Sequence, residues 1–235
     1  MARSLTDKDL AYDRIADQWS DLVNKYDTRR RVEVLIDEFL GPDLVRGKSC
    51  LDAGCGLGEF TSRLRTYNPS RPVSCDIAPN LVDSIGKRFP EVRATVADLL
   101  DLESALSNER FDVVVSSEVI EHTPDPRKAV QQLARAVAPG GVLALSVPNR
   151  RWIWLLRLAE ALRLRPHYAG YENWVPPQSL TAWLAENGLT VLRAEGVHTV
   201  PWQLLPKRLL RDVDMRIRDW NYPVALNLAI LARRV

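Results

Sequence analysis

Residues 51–58 read Leu51-Asp52-Ala53-Gly54-Cys55-Gly56-Leu57-Gly58, and eighteen positions later the chain reaches Asp76. An apolar strand that runs into three alternate glycines marks a place where backbone closes on a ligand. Glycine lacks the Cβ that would hold a ligand off, and it tolerates a tight strand-to-helix turn. Asp76, ending the next apolar strand, offers an acceptor to a ribose diol, so the pair reads as a nucleotide-type cofactor cradle. Ala97-Asp98-Leu99 follows a third apolar run. The glycine spacing is Gly-x-Gly-x-Gly, not the Gly-x-Gly-x-x-Gly of dinucleotide folds, and no second nucleotide half follows, which disfavours dinucleotide oxidoreduction. Reactive groups gather at Glu118, Glu121 and His122. Histidine ordinarily changes charge near neutrality and can take a proton from a hydroxyl. If the chain turns helical there, steps of three and four residues place all three side chains on one face. Together they can hold a divalent cation, their hard oxygen donors suiting Mg²⁺. The plainer alternative is two surface or capping carboxylates beside a hydrogen-bonded loop histidine.

Alternating elements must position these groups. Strands are expected over 48–53, 72–76, 92–96, 111–116 and 141–147, with helices near 57–66, 79–88, 101–106 and 126–137. Runs such as Phe111-Asp112-Val113-Val114-Val115-Ser116, nearly apolar on both faces, belong to a parallel sheet covered on two sides. Ala138-Pro139-Gly140-Gly141 stops one helix and turns into the next strand. The fold class is α/β, a doubly wound, mostly parallel sheet, whose ligands sit at the carboxyl ends of the strands. Gly54, Asp76, Asp98 and Ser117 all fall there. Helices over 6–23 and 29–40 precede the sheet; Ala11, Ile15, Trp19 and Leu22 form an apolar stripe on the first. A helix near 178–187, a strand at 189–194 and a last strand near 222–233 close the chain.

The 235 residues suit one domain over 1–235: N-terminal helices in 1–44, a cofactor-binding core in 45–149, an acceptor and cover region in 150–221, and a last strand in 222–235. With 46% hydrophobic and 26% charged residues the chain is a folded protein and not a disordered one. A net charge of +2 is too small to point to nucleic acid as the partner. Cys50, Cys55 and Cys75 lie on or beside strands without Cys-x-x-Cys spacing and read as buried thiols. The start, Met1 to Asp7, lacks the apolar stretch of a signal peptide, and no run approaches the roughly 20 apolar residues of a membrane span. A cytoplasmic location is expected.

In order, the glycine loop, Asp76, Ala97-Asp98-Leu99, Phe111-Asp112-Val113-Val114 and Pro139-Gly140-Gly141 resemble class I S-adenosylmethionine-dependent methyltransferases, which are Rossmann-like, over residues 45–150. Ser117-Glu118-Val119-Ile120-Glu121-His122-Thr123-Pro124-Asp125-Pro126 and Ser146-Val147-Pro148-Asn149-Arg150 resemble the ubiquinone-pathway catechol O-methyltransferases within that group. The resemblance implies a seven-stranded sheet with a reversed final strand next to the edge. It implies that Gly54 with its neighbours Asp52, Cys55 and Gly56 faces the methionine end of S-adenosylmethionine. Asp76 and Ile77 would meet the ribose, Asp98 and Leu99 the adenine, and Ser117 the cofactor from the fourth strand. An arginine of Arg29-Arg30-Arg31, taken as Arg29 from its distance to the glycine loop, would reach the cofactor carboxylate. His122 with Glu121 would be catalytic, and Glu118, Glu121 and His122 the ligands of a Mg²⁺ ion.

After the fifth strand, residues 150–165 carry five arginines and one glutamate amid leucine and tryptophan. From Arg150 to Arg218 there are eleven Lys and Arg against six Asp and Glu. A helix apolar on much of its surface yet rich in arginine fits a membrane interface, with contact at the inner face of the membrane. A cover that packs on the protein or on a second copy fits the same composition. Trp202 to Arg211 repeat the blend, and six of the seven tryptophans fall at or after Trp152. The tryptophans point to a small aromatic or lipophilic acceptor, and the resemblance implies that a hydroxyl of it is methylated. A glycolipid, or a natural-product sugar or amine, is the alternative within the same chemistry. A non-catalytic module that binds S-adenosylmethionine or lipid is the alternative of another class.

Overall fold

The computed structural model describes residues 25–163, 170–199 and 220–235, together with Thr6, Asp212, Arg216 and Ile217. Beyond Thr6, the expected first helix over 6–23 lies outside the described residues, as do Leu164, Arg165 and the Trp202–Arg211 stretch.

Seven strands form one sheet: β1 (Ser49–Ala53), β2 (Arg71–Asp76), β3 (Arg93–Val96), β4 (Phe111–Ser117), β5 (Val137–Pro148), β6 (Leu189–Val197) and β7 (Asn227–Arg234). Their order across the sheet is β3-β2-β1-β4-β5-β7-β6. β1 pairs in parallel with β2 on one side (Leu51 opposite Val73) and with β4 on the other (Leu51 opposite Val114). The chain thus winds outward in both directions from β1, and the crevice between the diverging connections opens at the carboxyl tips of β1 and β4. β7 runs antiparallel between β5 and the edge strand β6, the reversed strand that the resemblance implies.

The period of two along each strand builds two cores. Val113 and Val115 of β4 and Val142 and Ala144 of β5 pack with Val34, Leu35, Ile36 and Phe39 on one face. Val114, Leu143 and Leu145 pack on the other with Leu133 of α6 (Pro126–Ala136) and Leu180 and Leu184 of α8 (Pro177–Glu186). Burying each of these side chains larger than alanine contributes roughly 1.5–3 kcal/mol. Helices α3 (Glu59–Arg65), α4 (Pro79–Arg88) and α5 (Leu102–Ala105) complete the early crossovers. At the start, α1 (Lys25–Val32) widens into a π-helical stretch, Glu33–Leu40, followed by the short α2 (Gly41–Val45).

The helix stops where expected, but β5 begins at Val137 and not near 141, so Ala138–Gly141 form an irregular start of the strand. α6 stops at Ala136, and pairing with β4 jumps from Phe111 opposite Val137 to Val113 opposite Val142. A Cβ on Gly141 would come 2.8 Å from the Asp112 carbonyl oxygen, so only glycine lets β5 close on β4. The last strand starts later than expected, at Asn227, after a turn, and not near 222. The 150–221 stretch holds α7 (Ile153–Ala161), α8 and β6, the last two near the helix and strand expected at 178–187 and 189–194.

Candidate functional site

The glycine loop at the tip of β1 is held from below by β2. Gly54 N and Cys55 N both donate to the Cys75 carbonyl, at 2.8 and 3.0 Å, and Gly56 N donates to Asp76 Oδ2 at 2.9 Å. Gly54, Gly56 and Gly58 all take left-handed φ angles (+80°, +48° and +80°). The three glycines nevertheless serve different ends. A Cβ on Gly54 would strike Val119 Cγ2 at 2.4 Å and one on Gly58 would strike Ile85 Cδ1 at 2.3 Å, whereas one on Gly56 would meet nothing within 4 Å. Gly56 thus borders open space, a cradle of the kind that a close-lying ligand fills.

The other expected cofactor residues divide into those at the surface of the crevice and those beneath it. Asp76 uses Oδ1 to accept from Ala78 N at 3.0 Å, capping the turn toward α4, with Ile77 half-buried beside it. Asp98 caps the turn Leu99–Asp101 by accepting from Leu100 N at 2.9 Å, and Leu99 packs into the core. Asp52 is buried and accepts from Thr61 Oγ at 2.6 Å; burial pushes its carboxyl up to about 6. It therefore props the loop from inside. The Cys55 side chain packs with Ile85, Phe89 and Val92, and burial pushes all three cysteine thiols up, as inert buried sulfhydryls require.

The arginine that reaches the strand tips is Arg31, not Arg29. Arg31 is buried and donates from Nη1 to Ser117 Oγ at 2.7 Å, whereas Arg29 is exposed on the opposite side of α1 and Arg30 pairs with Glu33 and Glu38. A helix advances 100° per residue, so two positions separate a group aimed inward from one aimed at solvent. Ser117 Oγ in turn lies 2.7 Å from Ser146 Oγ at the end of β5.

Glu118, Glu121 and His122 do not share a helical face. Glu118 adopts a left-handed φ of +56°, which costs an L-residue about 1–2 kcal/mol, and only one tight turn, Ile120–His122, follows. That kink sends the Glu118 carboxylate across the sheet ends, where it accepts from Ser146 Oγ at 3.2 Å and from Asn227 Nδ2 at 2.9 Å. Glu121 is 1% exposed, and its Oε2 has no hydrogen-bond partner among the described residues. Burial pushes Glu118 up to about 7 against the pull of Arg31, and burial plus the Glu118 charge push Glu121 well above the usual range. His122 Nδ1 is 2.8 Å from the Tyr171 carbonyl oxygen, and Nε2 is 3.7 Å from Glu121 Oε1. The expected Mg²⁺ ligands therefore do not converge. Among the described residues no group of three His, Cys, Asp or Glu side chains is arranged to hold a metal ion. The donor set does not fit the cation.

Several groups at the site carry no local sequence signal. Asn227 and Tyr171 come from distant parts of the chain, and buried Asp27 and His198 sit behind Arg31. Of these, only Asp27 has a legible clue, its i,i+4 spacing to Arg31.

The profile of the methyltransferase domain family matches residues 24–194. A ubiquinone biosynthesis O-methyltransferase of Coxiella burnetii is 28% identical over 164 residues, covering 67% of this chain and 70% of that protein. Its namesake from Colwellia psychrerythraea is 25% identical over 209 residues, covering 81% and 85%. Among solved structures, magnesium protoporphyrin IX methyltransferase from Synechocystis with bound SAH superposes with a TM-score of 0.69 at 16% identity, covering 97% of this chain and 98% of that one.

Proposed function

The chain belongs to the methyltransferase domain family, and from that premise we propose that it moves the methyl group of S-adenosylmethionine to a hydroxyl of a small aromatic or lipophilic acceptor of the quinone-precursor kind. The observation that carries the choice of oxygen is the 2.8 Å contact between His122 Nδ1 and the Tyr171 carbonyl. A carbonyl can only accept, so Nδ1 bears the proton and Nε2 is left as the basic nitrogen. The curated relatives' name, ubiquinone biosynthesis O-methyltransferase, supports the same direction.

The bound cofactor supplies a methyl group already activated on a sulfonium. The chain has to add alignment, worth up to roughly 7–11 kcal/mol, and a base, worth about 10²- to 10⁴-fold. Gly54 and Gly56 would carry the methionine end, Asp76 the ribose, and Asp98 with Leu99 the adenine side. Arg31, in place of Arg29, would hold the carboxylate beside Ser117. His122 Nε2 takes the hydroxyl proton, with Glu121 Oε1 3.7 Å from the nitrogen that becomes protonated. A phenol ordinarily titrates near 10, so its proton is the one for which the protein must provide.

Residues 150–163 support contact with a membrane surface. Trp154, Leu158 and Leu162 are 57%, 46% and 60% exposed, next to exposed Arg150, Arg151, Arg157 and Arg163. Among the described residues no helix is long and apolar enough to cross a membrane, so the contact would be peripheral.

A methyl-transfer assay over catechols, sugars and amines tests the reading, with S-adenosylhomocysteine titrated by calorimetry in parallel. Turnover of catechols and a loss of about 10²- to 10⁴-fold in kcat for His122→Ala, at unchanged cofactor affinity, are expected. Full turnover by His122→Ala would remove the base. Turnover of sugars or amines alone would move the acceptor to another class. Cofactor binding without any turnover would mark a non-catalytic module.

A further inference from the structure

Behind Arg31 runs a line of buried polar groups that the proposed reaction leaves unused. Asp27 and Arg31 lie one turn apart on α1. Arg31 donates from both Nε and Nη2 to a single oxygen, Asp27 Oδ2, at 3.1 and 2.9 Å, with a further 3.3 Å bond from Nη2 to Thr28 Oγ. That occupies one edge of the guanidinium and leaves Nη1 to face Ser117. The second oxygen, Asp27 Oδ1, is 3.1 Å from His198 Nε2, an ion-pair contact when the imidazole is protonated.

His198 is an unexpected residue to find there. It is fully buried, immediately follows β6, and holds a left-handed φ of +60°. Its carbonyl accepts from Leu226 N at 2.8 Å and its ring lies 5.5 Å from that of Tyr26. The edge of the sheet thereby grips α1, and α1 presents Arg31 to the middle of the sheet. Bonded to Arg31 through Oδ2 and faced by the imidazole at Oδ1, the carboxylate is restrained in its rotation. With Oδ1 released, it can turn and take the doubly held edge of the guanidinium with it.

We propose that His198 is a positioning residue for cofactor binding: by engaging Asp27 it fixes the plane of the Arg31 guanidinium at the tip of β4. The proposal rests on the reading of Arg31 as the partner of the cofactor carboxylate. It assigns His198 no contact with the reacting atoms. The effect is therefore on affinity and not on the methyl-transfer step.

The experiment uses the full chain. S-adenosylhomocysteine is titrated by calorimetry, and KM for S-adenosylmethionine and kcat are measured for His198→Phe, His198→Gln and Arg31→Met. Phenylalanine keeps a ring but loses the donor, whereas glutamine keeps an N–H donor. Loss of the imidazole's contact with the carboxylate predicts about a tenfold rise in Kd and KM for His198→Phe, with kcat at saturating cofactor within about twofold. His198→Gln should recover most of the affinity, to within about threefold of the parent. Thermal midpoints report folding for each variant. If both His198 variants lose affinity alike, in step with their thermal midpoints, His198 serves packing only and the proposal falls. If Arg31→Met weakens binding by tenfold or more and His198→Phe does not, this inference alone fails. If Arg31→Met binds as the parent does, the underlying reading of Arg31 fails, and this inference with it.

Discussion

Asp76 Oδ2 accepts a hydrogen bond from Gly56 N at 2.9 Å, so the carboxylate at the tip of β2 braces the glycine loop at the tip of β1. Its other oxygen caps Ala78 N at the entrance to α4. One side chain therefore shapes the loop and the helix start that together border the proposed ribose site. Removing the carboxylate in Asp76→Ala should weaken S-adenosylhomocysteine binding by about 10- to 100-fold, since bonds to a charged group contribute roughly 1.5–3 kcal/mol. Asp76→Asn should fall between, because an amide has only one oxygen to accept the two N–H groups. Calorimetry on both variants checks the order, and equal affinity in Asp76→Ala would remove Asp76 from the site.

Gly56 and Gly58 are expected to fail in opposite ways when changed to alanine. Gly58→Ala drives a Cβ to 2.3 Å from Ile85 Cδ1, inside the small core of Cys55, Ile85, Phe89 and Val92, and should lower stability by roughly 1–3 kcal/mol. Gly56→Ala meets no neighbouring atom. Its cost in stability is limited to backbone strain, about 1–2 kcal/mol, while its new methyl group stands in the open cradle and should reduce cofactor affinity. Denaturation midpoints and cofactor titrations on the two variants separate the effects.

Stability should depend on pH through the Glu118 carboxyl, which burial pushes up from 4.5 to about 7. Between those values the native protein holds a proton that the unfolded chain has lost. The contribution is complete below the unfolded value and disappears as pH rises through about 7. Relative to Glu118→Gln, the parent should therefore be less stable at pH 8 than at pH 5. The raised Asp52 is common to both chains and drops out of the comparison, whereas Glu121, raised in part by the Glu118 charge, titrates with it, so the comparison reads the pair. Parallel thermal-midpoint curves for the two proteins would show that Glu118 is not buried in this way.

Vesicle cosedimentation tests the exposed face of α7 and the turn after it. Replacing Trp154, Leu158 and Leu162 by serine should abolish binding to anionic vesicles while leaving stability within about 0.5 kcal/mol, as expected for surface positions. Neutralising Arg151, Arg157 and Arg163 should weaken binding at low salt and flatten its dependence on added salt. Undiminished binding by both variants would assign the face to contact with protein instead.

Much of this molecule was legible before its structure. The five strands of the first 150 residues, the helix stop before β5, the glycine loop and the strand-end carboxylates Asp76 and Asp98 all lie where periodicity and turn chemistry place them. These are short-range properties. A run of β-branched residues bounded by glycine specifies a strand and its tip whatever the rest of the chain does.

Which side chains meet was decided elsewhere. The choice of Arg31 over Arg29 depends on how α1 is rotated against β4, and its three consecutive arginines read alike in sequence. The expected metal triad fails because Glu118 takes a left-handed turn and bonds to Asn227, 109 residues away. His198 meets Asp27 only because β6 pairs with the reversed β7 and ends beside α1. The sequence by itself determined the sheet and its cradle, since local patterning is enough to form them. Tertiary structure alone decided the charged network around the cradle, because sheet order and single backbone angles set distances between residues that no local pattern connects.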